Sequence, residues 1–148
     1  MIRSIVVGTD GSETATKAVR EAAELAAALN AGMEIVSAYE PVGTQRLKEE
    51  ARQVTEDLQW MVTPREDVEV TLREATQMAE GLGVSTVRCH AREGDPADAI
   101  LDVAEEQGSD LIVVGNKGMT GAKRFLLGSV PNKVSHHAPC SVLIIRTT

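Results

Sequence analysis

Five short β-rich runs, separated by stretches of helical periodicity, constrain this chain more than any other feature. The runs are RSIVVG (3–8), MEIVSAY (33–39), STVRCHA (85–91), DLIVVG (110–115) and SVLIIR (141–146). Three are almost wholly apolar, as strands covered on both faces should be. Residues 12–30 are Ala-rich and place Ala15, Ala18, Val19, Ala22, Leu25, Ala26 and Leu29 on one stripe, stopping before Asn30 and Gly32. A later helix opens with Asp95 as an acidic cap, Pro96 at its first position, and apolar Ala99, Ile100, Val103 and Ala104.

The crossover between the second and third runs is long, about 45 residues. Two amphipathic spacings lie within it: Leu47, Ala51, Val54, Leu58, Met61, then Val68, Leu72, Ala75, Ala79, Leu82. The second is announced by TPRE, where Thr63 can cap, Pro64 can open and Glu66 can close a capping box. The first is charged and follows EPVG, so residues 41–62 can equally be a mobile flap over the sheet edge.

Strand alternating with helix predicts one α/β domain over residues 1–148, with a five-stranded parallel sheet, doubly wound by right-handed crossovers. Ligands of such sheets collect beyond the carboxyl ends of the strands, where the strand order reverses. The loops leaving the first and fourth strands therefore come under scrutiny, and both have unusual chemistry.

Charge narrows the ligand. The net charge of −7 argues against a nucleic-acid partner or an anionic-membrane partner, since both require a positive field. Yet residues 111–148 contain no Asp or Glu and carry Lys117, Lys123, Arg124, Lys133 and Arg146. Such asymmetry predicts a local anion site. Cys89 and Cys140 stand apart with no metal-binding spacing and read as two small buried residues. No signal-like segment and no apolar run approaching the roughly 18 residues of a membrane span is present, so a cytoplasmic location with reduced thiols is expected.

After DLIVVG, residues 116–128 form a long loop before a short helix beginning near Ser129. Glycine at 115 and 118 lets the backbone turn and bring its N–H groups close to a ligand. Gly128 and Ser129 then open a helix whose first amides are unpaired and whose dipole is positive there. Each part has a blander explanation, Ser129 as an N-cap, the glycines as turn formers and the lysines as solvated charges. Together they describe a phosphate cradle.

The spacing is neither the P-loop nor G-x-G-x-x-G. It is G-x-x-G, nine residues, then G-S, carried by Gly115, Gly118, Gly128 and Ser129. With IVVGTDGSE near the start and APCSVLIIR at the close, it resembles the nucleotide-binding branch of the universal stress protein family over essentially the whole chain. That resemblance implies the Rossmann-like strand order 3-2-1-4-5 and an adenine nucleotide as ligand, ATP or alternatively cyclic AMP, with Mg2+ or Mn2+ accompanying ATP. The site residues it implies are Thr9, Asp10, Ser12, Ala38, Gly115, Asn116, Lys117, Gly118, Gly128, Ser129 and Val130. It also implies a homodimer in which strand 141–146 pairs with its copy.

Asp10 has two readings from the residues alone: a capping box with Glu13, in which Ser12 could cap instead, or a carboxylate accepting bonds from ribose or base. The resemblance favours the adenosine contact. Ala38, at the end of the second strand, matches the position whose backbone meets the base. Ala stands there where a bulkier aliphatic residue is frequent, with Tyr39 beside it, so the base pocket is expected to differ in width. No catalytic constellation is evident: the loop has no carboxylate to hold a metal, His136 and His137 fall in the last turn of a helix, and His90 sits mid-strand without an identifiable acid. The chain reads as a stress-response binder with slow hydrolysis at most. A nucleotide-independent dimeric interaction module is the competing class.

Overall fold

The computed structural model of the chain describes residues 1–40, 65–116 and 127–147, and within them all five β-rich runs join one parallel sheet. The strands are β1 (Ser4–Gly8), β2 (Gly32–Tyr39), β3 (Val87–Glu93), β4 (Leu111–Gly115) and β5 (Ser141–Ile145), in the order β3-β2-β1-β4-β5. The helices are α1 (Glu13–Leu29), α2 (Arg65–Gly81), α3 (Pro96–Glu106) and α4 (Ser129–His137). The first crossover spacing, the flap reading of 41–62, Thr63, Pro64, Lys117 and Gly118 lie outside the described residues.

Alternation along the strands divides the core into two layers. Ile5 and Val7 of β1, Met33 and Ile35 of β2 and Val113 of β4 pack under α1 and α2, whose buried stripes include Ala22, Ala26, Val68 and Leu72. Val6, Val36, Ile112 and Val114 face the other way, onto Ile100 and Val103 of α3 and Val130 and Val134 of α4. Full burial of each such aliphatic side chain is worth about 1.5–3 kcal/mol.

Helix ends follow the residues that satisfy their loose backbone groups. Ser12 Oγ accepts the Ala15 N–H at 3.2 Å to cap α1, and Asn30 ends it in the left-handed region at φ 54°. At α3, Asp95 accepts the Asp98 N–H at 3.0 Å and Pro96 occupies the first turn. Asp110 pins the amino ends of β1 and β4 together, accepting the Arg3 and Ser4 N–H groups at 2.8 and 3.1 Å.

Several expectations are corrected by packing. Leu29 lies at the rim of the buried arc of α1 and is exposed, whereas Ala23 is buried in its place. The run SVLIIR is not covered on both faces: β5 is an edge strand, and Leu143 and Ile144 remain 39% and 37% exposed. Cys89 is exposed, because β3 is the opposite edge, and Cys140 is half-buried.

Candidate functional site

The chain leaves β1 toward α1 on one face of the sheet and leaves β4 toward α4 on the other. A solvent-open cleft lies between these departures, at the carboxyl ends of the strands. Gly8, Thr9, Asp10 and Ser12 form one wall, and Gly115 and Val130 belong to the opposite side. Val36 and Ala38 of β2 with Ile100 of α3 supply an apolar surface between them. A Cβ on Gly8 would lie 2.5 Å from Ile100 Cδ1, so the Ile100 side chain of α3 packs directly against the backbone at the end of β1.

Asp10 and Ser12 resolve the ambiguity at the start of α1. Ser12 is the cap, and Asp10 Oδ1 instead accepts the Ser12 N–H at 2.9 Å, which holds the carboxylate in one orientation. Its Oδ2 is buried and has no hydrogen-bond partner among the described residues. A buried carboxylate oxygen left unpaired is costly, so the position favours a ligand that brings a hydroxyl or amine donor.

On the far side, Gly128 rather than Ser129 is the N-cap of α4, with φ −65° and ψ 168°, and no side chain among the described residues caps the helix. The Gly128 N–H donates to the Asn116 carbonyl at 2.9 Å. Pro131 has no N–H to leave unpaired. The amides of Ser129 and Val130 are consequently the two in the first turn that the helix cannot satisfy, and the dipole there favours an anion. Gly115 is extended, the last residue of β4, in register with Ile145. It does not turn the chain.

Lys133 does not join this end of the cleft. It lies 2.8 Å from Asp98 and 3.3 Å from Asp95, and those carboxylates raise its pKa, Asp98 foremost. Its effect is to tie α4 to the start of α3. Asn116 follows Gly115, but its Oδ1 accepts both the N–H and the hydroxyl of Thr147, at 2.8 and 3.1 Å.

Ala38 continues past the last β1–β2 pair, Gly8 with Val36, and past the Thr9 N–H bond to the Val36 carbonyl at 2.9 Å. Main-chain groups of a parallel strand alternate between its two neighbours, so Ala38 turns the same backbone edge as Val36 toward the space beyond β1. Tyr39 packs on the opposite face with α1 and α2, its ring 5.3 Å from the Arg65 guanidinium. It therefore does not shape the pocket.

Sequence reasoning missed much of the apolar lining. Pro96 and Ile100 of α3, Pro131 of α4 and Thr14 and Ala15 of α1 all face the cleft. The first two stand at i and i+4 in the opening turns of a helix that starts at the strands' carboxyl ends, which is the signal that was present. His90 also differs from expectation. Its Nε2 is 3.5 Å from Glu34 Oε1, a buried carboxylate on β2 that Arg88 grips through Nε at 3.1 Å to Oε2 and Nη2 at 2.9 Å to Oε1.

One oriented acceptor, an apolar floor and two main-chain donors at a helix N-terminus suit a ligand with a donor-bearing part, an apolar part and an anionic part. The Universal stress protein family model matches residues 1–146. The chain belongs to the universal stress protein family. Universal stress protein Rv1636 of Mycobacterium tuberculosis is 38% identical over 99% of this chain and 97% of its own. A solved universal stress protein in complex with cAMP is 34% identical, covers 99% of this chain and 98% of that one, and superposes with a TM-score of 0.74. The universal stress protein from Archaeoglobus fulgidus in complex with dAMP is 27% identical over 99% of this chain and 100% of that one, with a TM-score of 0.69. The family's Rossmann-like α/β sheet is the fold seen here.

Proposed function

We propose that this universal stress protein binds an adenine nucleotide, ATP, and acts as a stress-response binder rather than a dedicated catalyst. The observation that carries the reading is the buried Oδ2 of Asp10, without a partner among the described residues, in a cleft whose other side begins at the glycine-capped N-terminus of α4. In this reading Asp10 accepts from the ribose, the Ala38 backbone meets the base edge, and the Ser129 and Val130 amides receive phosphate. Thr9 and Ser12 line the mouth, and Gly115, Asn116, Lys117, Gly118 and Gly128 complete the loop that the family signature describes. Among the described residues no group of three His, Cys, Asp or Glu side chains is placed to hold a metal ion. In this reading Mg2+ or Mn2+ accompanies ATP.

Cyclic AMP is the second reading, favoured by the solved relative in complex with cAMP and by the two helix-end amides, which suit a single phosphate. Calorimetric titration of nucleotide-free protein with ATP, then competition with cyclic AMP, tests both. No heat with either ligand removes the nucleotide reading; displacement of ATP by a smaller amount of cyclic AMP reverses the preference.

The exposed outer edge of β5, with Leu143 and Ile144 beside it, is proposed as the surface where two copies pair across a two-fold axis. The protein is proposed to act as a single domain in the cytoplasm. No helix among the described residues is long and apolar enough to cross a membrane.

A further inference from the structure

We infer that Asn116 and Thr147 form a latch that positions the anion-facing end of the cleft and couples its occupancy to the segment after β5, a role that rests on the nucleotide reading above. Asn116 joins three parts of the chain that are distant in sequence. Its N–H donates to the Ile145 carbonyl at 2.8 Å, and its own carbonyl accepts the Gly128 N–H at 2.9 Å. Its Oδ1 takes the Thr147 N–H and hydroxyl at 2.8 and 3.1 Å. Thr147 is only 5% exposed, one of few buried polar residues among those described, and its carbonyl receives Lys17 of α1 at 3.5 Å.

An amide oxygen has two lone pairs, and Thr147 fills both, so Asn116 Oδ1 serves the protein's own geometry. The backbone of the same residue sets the N-cap of α4 through Gly128, and with it the direction of the Ser129 and Val130 amides. Thr147 thereby acts on the ligand through Asn116 and is a positioning residue. With the latch open, the α4 start would be docked in only a fraction of molecules, and apparent affinity for the anionic part of a ligand would fall by that fraction. Linkage makes the effect reciprocal: a ligand that needs the docked α4 start must also tighten the latch.

The test compares wild type, Thr147→Val and Thr147→Ser by titration with ATP, cyclic AMP and adenosine, together with amide exchange at Thr147 in the wild-type protein. Loss of one hydrogen bond predicts roughly three- to tenfold weaker binding of the phosphate-bearing ligand to Thr147→Val, with adenosine changed by less than about twofold. Thr147→Ser should restore the phosphate-bearing ligand, and that ligand should slow exchange of the wild-type Thr147 N–H. Equal losses for the nucleotide and adenosine, a serine variant as weak as the valine one, or exchange indifferent to ligand would overturn the latch alone. A wild-type protein that binds neither ATP nor cyclic AMP overturns the nucleotide reading and the coupling with it. The exchange measurement decides the matter even where the valine variant does not fold.

Discussion

Asp10 and Ser12 divide two tasks at the mouth of the cleft: Ser12 Oγ caps α1 through Ala15, while Asp10 Oδ1 accepts the Ser12 N–H and Oδ2 has no partner among the described residues. The carboxylate is thus freed from the helix it precedes. Ser12→Ala should cost about 1 kcal/mol of stability in denaturant titrations, as lost caps do. Asp10→Asn keeps an acceptor for the Ser12 N–H and removes the charged one. It should melt no lower than wild type yet bind nucleotide roughly ten- to hundredfold more weakly, the range for a hydrogen bond to a charged group.

At the other wall, Ser129→Glu should separate stability from binding. A carboxylate in the first turn of α4 interacts favourably with the dipole, by about 0.3–1 kcal/mol. The same charge repels phosphate. Thermal denaturation should therefore stay level or rise while calorimetry loses the ATP signal, and retained affinity would speak against an anion at the α4 start.

Gly8 and Ile100 should behave as a coupled pair. Gly8→Ala brings a Cβ to 2.5 Å from Ile100 Cδ1, so the isoleucine must rotate or α3 must shift. Overpacking of this kind costs about 1–3 kcal/mol. Ile100→Val removes that methyl, so in a double-mutant cycle the combined loss should be smaller than the sum of the two single losses.

The proposed dimer can be separated from the fold at one residue. Asn116 donates to the Ile145 carbonyl, so Ile145 faces β4 and Ile144 turns its N–H to the open edge. Ile144→Pro removes that outward donor and leaves the ladder to β4. Sedimentation should change from dimer to monomer with little change in far-UV circular dichroism; a dimer that persists would place the contact elsewhere.

Acid should weaken the far end of the sheet. N–H bonds from Arg3 and then Ser4 hold the Asp110 carboxyl below its usual range. A depressed folded pKa means a contribution that is full above the ordinary carboxylate pKa and disappears as pH falls through the folded value. Asp110→Asn does not titrate, so its stability deficit relative to wild type should shrink as pH drops below about 4.

The order of strands and helices was legible in the sequence because each element's period is local: apolar runs for β1 and β4, a four-and-three spacing for α2, and Ser12 and Asp95 as caps. So was the location of the cleft, since α/β sheets bind where their crossovers diverge. What periodicity cannot report is which of several neighbours a side chain takes. Lys133 went to Asp95 and Asp98, His90 met Glu34 across a strand pair, Tyr39 fell on the face opposite Ala38, and Ser12 took the cap that Asp10 could have claimed. Each outcome depends on residues brought together from distant parts of the chain or on competition for one donor. Thr147 makes the point most plainly, because nothing in its local sequence distinguishes it, and only the approach of β5 to β4 delivers it to Asn116. Sequence determined the layers and the rim at which the cleft opens; tertiary packing decided which polar atoms were consumed by the fold and which, like the buried Asp10 Oδ2, have no partner among the described residues.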